Sequence, residues 1–180
     1  LRKVALPYMK KLRDEINEIV LLAVLDGDQA TYIEKLESSQ AIRLYTRVGK
    51  SSPLYIGSGP KLLFAYLPEE ERNKILDKLI LQPLTENTIT DKGKLIKELE
   101  QIRKLGFAVS NGEQNMDTIG ISFPIRDHTG SVAAALTMSG PSSRFNSERE
   151  AFIKEKLKTT ADQISRDLGF VTTKVKNILL

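Results

Sequence analysis

This sequence predicts an α+β domain in which one antiparallel sheet carries helices on its faces. Three observations predict it. The hydrophobic periodicity runs helix, three strands, three helices, three strands, helix, and a single antiparallel sheet is the economical packing of that order. The 180 residues, 41% of them hydrophobic, suit one domain with its own core and are too apolar for a disordered chain. No internal repeat, low-complexity tract or linker divides the chain.

The first element spans residues 1–16, where Leu1, Val4, Ala5, Tyr8, Met9, Leu12 and Ile16 recur at helical spacing; Pro7 starts or kinks this helix because it lacks an N–H. The run from Ile19 to Leu25 is a buried-strand type, Asp26-Gly27 supplies hairpin chemistry, and Ala30 to Leu36 returns. Ile42 to Val48 reads as a third strand and Gly49 to Pro53 as loop. Ser58-Gly59-Pro60 opens a helix with Leu62, Leu63, Ala65, Tyr66 and Leu67. Pro68 and Glu69-Glu70-Glu71 open another, with Ile75, Leu76, Leu79 and Ile80 on one side. A third runs from Lys92 to Leu105, capped by Thr90 or Asp91 and stopped by Gly106. Strands follow at Phe107–Val109, Thr118–Ile125 and Ser131–Ser139, the last two joined by a turn at Arg126–Gly130. A closing helix, Ser147 to Leu168, places Phe152, Leu157, Ala161, Ile164 and Leu168 inward, and residues 170–180 form a short apolar-basic tail.

Composition narrows the chemistry. With no Cys and one His, the chain has no disulfide, no thiol nucleophile and no His- or Cys-rich metal cage, and the usual acid–base side chain is nearly absent. The +4 balance is mildly basic, but Lys and Arg alternate with acids, as in Lys10-Lys11-Leu12-Arg13-Asp14-Glu15, so no nucleic-acid face is inferred. No run reaches the ~18–20 apolar residues that a membrane helix needs. The start lacks a secretory signal and an initiator Met, so a cytoplasmic domain cut from a longer chain is expected.

No residue is expected to be catalytic. His128 sits beside Asp127 in a turn, where neighbours seldom aim at each other, and the acidic pairs read as hairpin and helix-start residues. Two polar features stand out. Gly57-Ser58-Gly59-Pro60-Lys61 feeds a helix, so Ser58 and Gly59 can offer backbone N–H groups to a carboxylate or phosphate; a plain helix start is the competing reading. Thr137 and Ser139 lie two apart in a strand, on one face with Ala133 and Ala135, where hydroxyls can floor a small cavity or simply let a helix pack closely.

The element order resembles the GAF/PAS type of sensory module. The ordered motifs go further. Leu22-Ala23-Val24-Leu25-Asp26-Gly27, Tyr32-Ile33-Glu34-Lys35-Leu36-Glu37-Ser38, Arg43-Leu44-Tyr45-Thr46-Arg47-Val48-Gly49, Pro53-Leu54 and Lys61 come first. Thr85-Glu86-Asn87-Thr88-Ile89-Thr90, Pro124-Ile125-Arg126-Asp127-His128-Thr129-Gly130 and Ser139-Gly140-Pro141 follow. Together, over residues 1–169, they resemble the C-terminal effector-binding domain of IclR-type bacterial transcription regulators. The resemblance implies a homodimer or homotetramer and a small-molecule effector, commonly a carboxylate. It implies DNA contact only through a missing N-terminal winged helix–turn–helix, with residues 1–16 continuing the connection to it and 17–169 forming the effector domain. No membrane partner or cofactor is expected; some members of the family it resembles carry a metal in this domain, but with one His and no Cys none is expected here.

The family's effector positions fall on Ser58 and Gly59 as main-chain donors, Thr137 and Ser139 as strand hydroxyls, Ser110 and Gly120 as polar positions, and Leu44 and Thr118 as walls. Three departures bear on ligand choice. Ser58-Gly59-Pro60-Lys61 stands where relatives often read Ala-x-Gly-Lys, and Ser110 and Gly120 replace larger or charged groups, which is expected to widen the pocket or change its charge. A GAF-like enzyme or cofactor domain, and a ligand-free oligomerisation module, remain as alternatives.

Overall fold

The computed structural model describes residues 1–40 and 46–172. Helix α1 (Arg2–Ile16) buries Ala5, Met9, Leu12 and Ile16, a one-sided stripe, and ends on Asn17 in the left-handed conformation. It begins at Arg2, so Pro7 lies inside it and is not its start. The strands β1 (Ile19–Asp26) and β2 (Gln29–Leu36) form the expected hairpin, with Asp26 paired to Gln29 across Gly27-Asp28. Three helices follow: α2 (Ser58–Ala65), α3 (Glu69–Lys78) and α4 (Lys92–Leu105). The Asp91 carboxylate caps α4 by accepting the Lys94 N–H. The chain then adds β4 (Ala108–Asn111), β5 (Thr118–Arg126) and β6 (Val132–Pro141), a short 3-10 turn at Ser142–Arg144, and α5 (Ser147–Asp167).

Among the described residues six strands form one antiparallel sheet in the order β3-β2-β1-β6-β5-β4, where β3 is Ser51–Pro53. Because successive side chains alternate between faces, the sheet supports two cores. On one face Val20, Leu22, Ile121, Phe123, Leu136 and Met138 pack against Met9, Leu12 and Ile16 of α1 and Ile153, Leu157 and Ile164 of α5. On the other, Ile19, Leu21, Ala23 and Ala135 pack against Leu62, Phe64, Leu95 and Leu99 of α2 and α4. Among the described residues no helix is long and apolar enough to cross a membrane.

The fold corrects four details of the sequence reading. The strand expected at Ile42–Val48 lies in part outside the described residues, and residues 46–48 are not strand. The stretch Gly49–Pro53, expected as loop, contains the edge strand Ser51–Pro53, paired with Gln29–Thr31. Its polar composition hides it, and an edge strand tolerates Pro because one side of it needs no ladder N–H. Helix α3 stops at Lys78, and Ile80 beyond it is 75% exposed. In α5 the inward residue is Ile153, fully buried, while Phe152 is partly exposed under the cations of Arg149 and Lys156. The β5–β6 register passes from Ile125–Ala134 to Arg126–Val132 and skips Ala133. Val132 joins Ala135 on the α2 face, so the alternation counted through Ala133 breaks at this bulge.

Candidate functional site

Two rows of paired residues cross the sheet on the face that α2 covers. Ser110 of β4 pairs with Gly120 of β5, which pairs with Ser139 of β6; one row along, Ala108 pairs with Ser122 and Ser122 with Thr137. These positions lie two apart on each strand and share a face. The N-terminus of α2 sits directly on them. A Cβ on Gly120 would meet Ser58 Oγ at 2.8 Å, and one on Gly59 would meet Thr137 Oγ1 at 2.9 Å. The sheet thus gathers Ser58, Gly59, Gly120 and Thr137 into one locus, flanked by Ser110 and Ser139. Gly120 does not widen a pocket, because the volume a side chain would take there holds the Ser58 hydroxyl.

Ser122, which the sequence reading passed over, is the centre of this locus. It is fully buried, its hydroxyl donates to Ser58 Oγ at 2.8 Å, and it lies 2.7 Å from Thr137 Oγ1. A hydroxyl has one proton, so with Ser122 donating to Ser58 the Thr137 hydroxyl donates to Ser122. The relay runs from Thr137 through Ser122 to Ser58, and the Ser58 proton has no acceptor among the described residues. Its signal in the sequence is slight: Ser122 shares the face of Gly120, two residues on.

The backbone adds more donors. The first intrahelical bond of α2 is Lys61 N–H to the Gly57 carbonyl, and Pro60 has no N–H. The Ser58 and Gly59 N–H groups therefore have no helical acceptor, and none of the described residues provides another. Both residues are buried. The Ser110 and Ser139 hydroxyls likewise have no partner among the described residues. Among the described residues the locus presents N–H and O–H donors with no ammonium or guanidinium of its own. Lys61 is 1% exposed, and its ammonium is committed to Glu113 Oε1 at 2.5 Å and Glu98 Oε1 at 2.9 Å. Such a set suits a small acceptor-rich group such as a carboxylate.

Thr118 lies on the same face one step further along β5, but its hydroxyl donates to the Asn115 carbonyl at 2.7 Å. Leu44 lies outside the described residues. His128 and Asp127 are not paired: the Thr129 hydroxyl and N–H occupy Asp127 Oδ1 at 2.5 and 2.8 Å and hold that carboxyl below its ordinary range. Among the described residues no three His, Asp or Glu side chains converge on a metal-sized site. A separate hollow of about 350 Å³ lies between α5 and Phe107, Phe123, Pro124 and Phe170, but none of the predicted site residues lines it. Its cations are engaged, with Lys158 on Asp162 at 2.6 Å, Lys154 over the Phe107 ring and Arg126 donating to the Gly130 carbonyl.

One antiparallel sheet in this order, with α2–α4 on one face and α1 and α5 on the other, defines a GAF-like α+β domain. The family model of the bacterial transcriptional regulator IclR C-terminal domain matches residues 1–166. The chain belongs to the IclR family of bacterial transcriptional regulators. It is 38% identical over 170 residues to the HTH-type transcriptional regulator KipR of Bacillus subtilis, covering 94% of this chain and 68% of KipR. Among solved structures it is similar to the Thermotoga maritima IclR, at 36% identity and a TM-score of 0.89, covering 94% of this chain and 68% of that one. An IclR homologue from Microbacterium hydrocarbonoxydans, solved in complex with 4-hydroxybenzoate, superposes with a TM-score of 0.84 at 29% identity, covering 93% of this chain and 67% of that one. The chain spans between 61% and 68% of the curated relatives KipR, KdgR and AllR, all named as transcriptional regulators or repressors.

Proposed function

We propose that this chain is the effector-sensing and oligomerising domain of a cytoplasmic IclR-type regulator, binds a small carboxylate, and is not an enzyme. The observation that carries the reading is the seating of the start of α2 on the Ser110–Gly120–Ser139 row, where the Ser58 and Gly59 N–H groups and the Ser58, Ser110 and Ser139 hydroxyls have no acceptor among the described residues. Thr137 and Ser122 orient the Ser58 hydroxyl, and hydrogen bonds arranged in a relay strengthen one another. An effector bound here would bridge α2 to β6, the strand that pairs with β1 directly after α1. Binding would bias how copies of the chain assemble in a dimer or tetramer, and so the spacing of DNA-reading domains outside this chain. The bound 4-hydroxybenzoate of the Microbacterium homologue, an aromatic carboxylate, is consistent with this chemistry.

A second reading draws on the closure of Ser58, Ser122 and Thr137 on one another: the locus is a packed polar layer and the domain only oligomerises. A thermal-shift screen of organic and sugar acids separates the two. The sensor reading expects at least one acid to raise the melting temperature, and expects Ser139→Leu to remove that rise. No rise with any acid, together with a Ser139→Leu variant that behaves as the parent, leaves the packed layer.

A further inference from the structure

The N-terminus of α2 is tied down by a cluster to which neither the family resemblance nor the effector reading gives a role. Lys61 donates to Glu113 Oε1 at 2.5 Å, to Glu98 Oε1 at 2.9 Å and to the Val109 carbonyl at 3.3 Å. The other Glu113 oxygen, Oε2, accepts the Gly57 N–H at 3.0 Å. Gly57 has φ 91°, a conformation that side chains disfavour, and it immediately precedes the two donors Ser58 and Gly59. One carboxylate therefore links the first residue of the cradle to the buried ammonium one helical turn inside α2.

Glu113 is itself fixed from the loop before α4. The Thr88 hydroxyl donates to the Glu113 carbonyl at 2.7 Å and accepts the Leu84 and Thr85 N–H groups at 3.0 and 2.9 Å. The Thr85 hydroxyl donates to the Gly112 carbonyl at 2.5 Å. Gly112 has φ 68°, and a Cβ there would lie 3.0 Å from the Met116 carbonyl oxygen, so a side chain is strained where this loop meets the end of β4. The motif Thr85-Glu86-Asn87-Thr88 thus clamps the segment that carries Glu113.

We propose that Glu113 is a positioning residue of the effector site: it holds Gly57 so that the Ser58 and Gly59 N–H groups stay aligned, with Lys61 orienting its carboxylate and Thr85 and Thr88 its backbone. The proposal rests on the effector reading above. A loop with a free Gly57 N–H must be ordered when the ligand arrives, and that ordering is charged against affinity. Glu113 thereby sets affinity through the backbone of the loop that it fixes.

Backbone amide NMR of the chain, with Glu113→Gln and Glu113→Asp variants and with acetate and 4-hydroxybenzoate as probes, tests this. Glu113→Asp keeps the charge but shortens the reach to Gly57. Both variants are expected to move the Gly57, Ser58 and Gly59 amide resonances and speed exchange at Gly57. Whichever probe binds the parent is expected to bind the variants about tenfold more weakly, the scale of one charge-assisted hydrogen bond. If Glu113→Gln fails to fold, Lys61→Met/Glu113→Gln removes both charges together and carries the same measurements. Unchanged Gly57–Gly59 amides, or unchanged affinity with shifted amides, overturns the proposal. A parent that binds neither probe counts against the effector reading, and the amides still decide whether Glu113 fixes the loop.

Discussion

Ser58 Oγ lies 2.8 Å from the point where a Cβ on Gly120 would stand, so the bare backbone of β5 and the first hydroxyl of α2 are two halves of one fit. The next nearest atoms, the Met138 carbonyl and Ser58 Cβ, are both at 3.7 Å, so Ser58 is the group that must give way. Gly120→Ala is expected to push the Ser58 hydroxyl off Ser122 and to cost about 1–3 kcal/mol, the usual scale of overpacking. Chemical denaturation of the two proteins measures it. An alanine variant as stable as the parent would mean that α2 slides without penalty.

Ser122→Ala removes the middle of the hydroxyl relay without adding volume. Ser58 loses the bond it accepts and Thr137 the acceptor for its proton, both in buried positions. A loss of about 1–3 kcal/mol is expected, because stranded buried polar groups cost more than the bond itself. Thermal unfolding reads this change, and no change would show that the two hydroxyls find other partners.

Glu18 is fully buried at the start of β1, gripped by Arg144 Nε at 3.0 Å and Nη2 at 2.5 Å, with Arg149 at 3.7 Å. Arg149 also donates to the Ile16 carbonyl at the end of α1. Hydrogen bonding to Glu18 raises the Arg144 pKa above the ordinary guanidinium value. Arg144→Met should destabilise the domain by about 3 kcal/mol, since it leaves a buried carboxylate with one distant cation. Arg144→Lys should recover only part of the loss, because an ammonium cannot reproduce the two-pronged contact. Unfolding free energies of the two variants give the comparison.

Burial raises the Tyr32 phenol above its ordinary 10.0. The unfolded chain then loses this proton at a lower pH than the folded one, so the contribution is intact below pH 10 and declines as pH rises beyond it. Tyr32→Phe should show a shallower alkaline decline. The decline should not vanish, because Tyr8, hydrogen-bonded to Asp167, is also raised. Unfolding curves from pH 9 to pH 11 (a window of roughly one unit either side of the phenol value) test the sign.

Much of the fold is legible in local pattern. The α1 stripe, the Asp26-Gly27 turn, the Asp91 cap and the element order all follow from residues close in sequence. The edge strand Ser51–Pro53 is illegible because its pairing, and not its composition, makes it a strand. Phe152 and Ile153 differ by one step of helix phase, which a periodicity reading cannot separate when both are apolar. For the candidate site, strand alternation put Thr137 and Ser139 on one face, and the glycine-serine loop marked the start of α2. Ser122 and Glu113 were hidden, because their partners lie 64 and 52 residues away for the Ser58 and Lys61 contacts. Only the sheet register and the loop clamp bring them together.

The central claim is that a small acid binds where α2 meets β6. Isothermal titration of the strongest acid from the thermal-shift screen, into the parent chain and into Ser139→Leu, tests it most directly. The account predicts saturable binding to the parent at one site per chain, and an affinity at least about tenfold weaker in the variant, the scale of a lost hydrogen bond in a filled site. Equal affinity in the two proteins would place the ligand elsewhere and contradict the account.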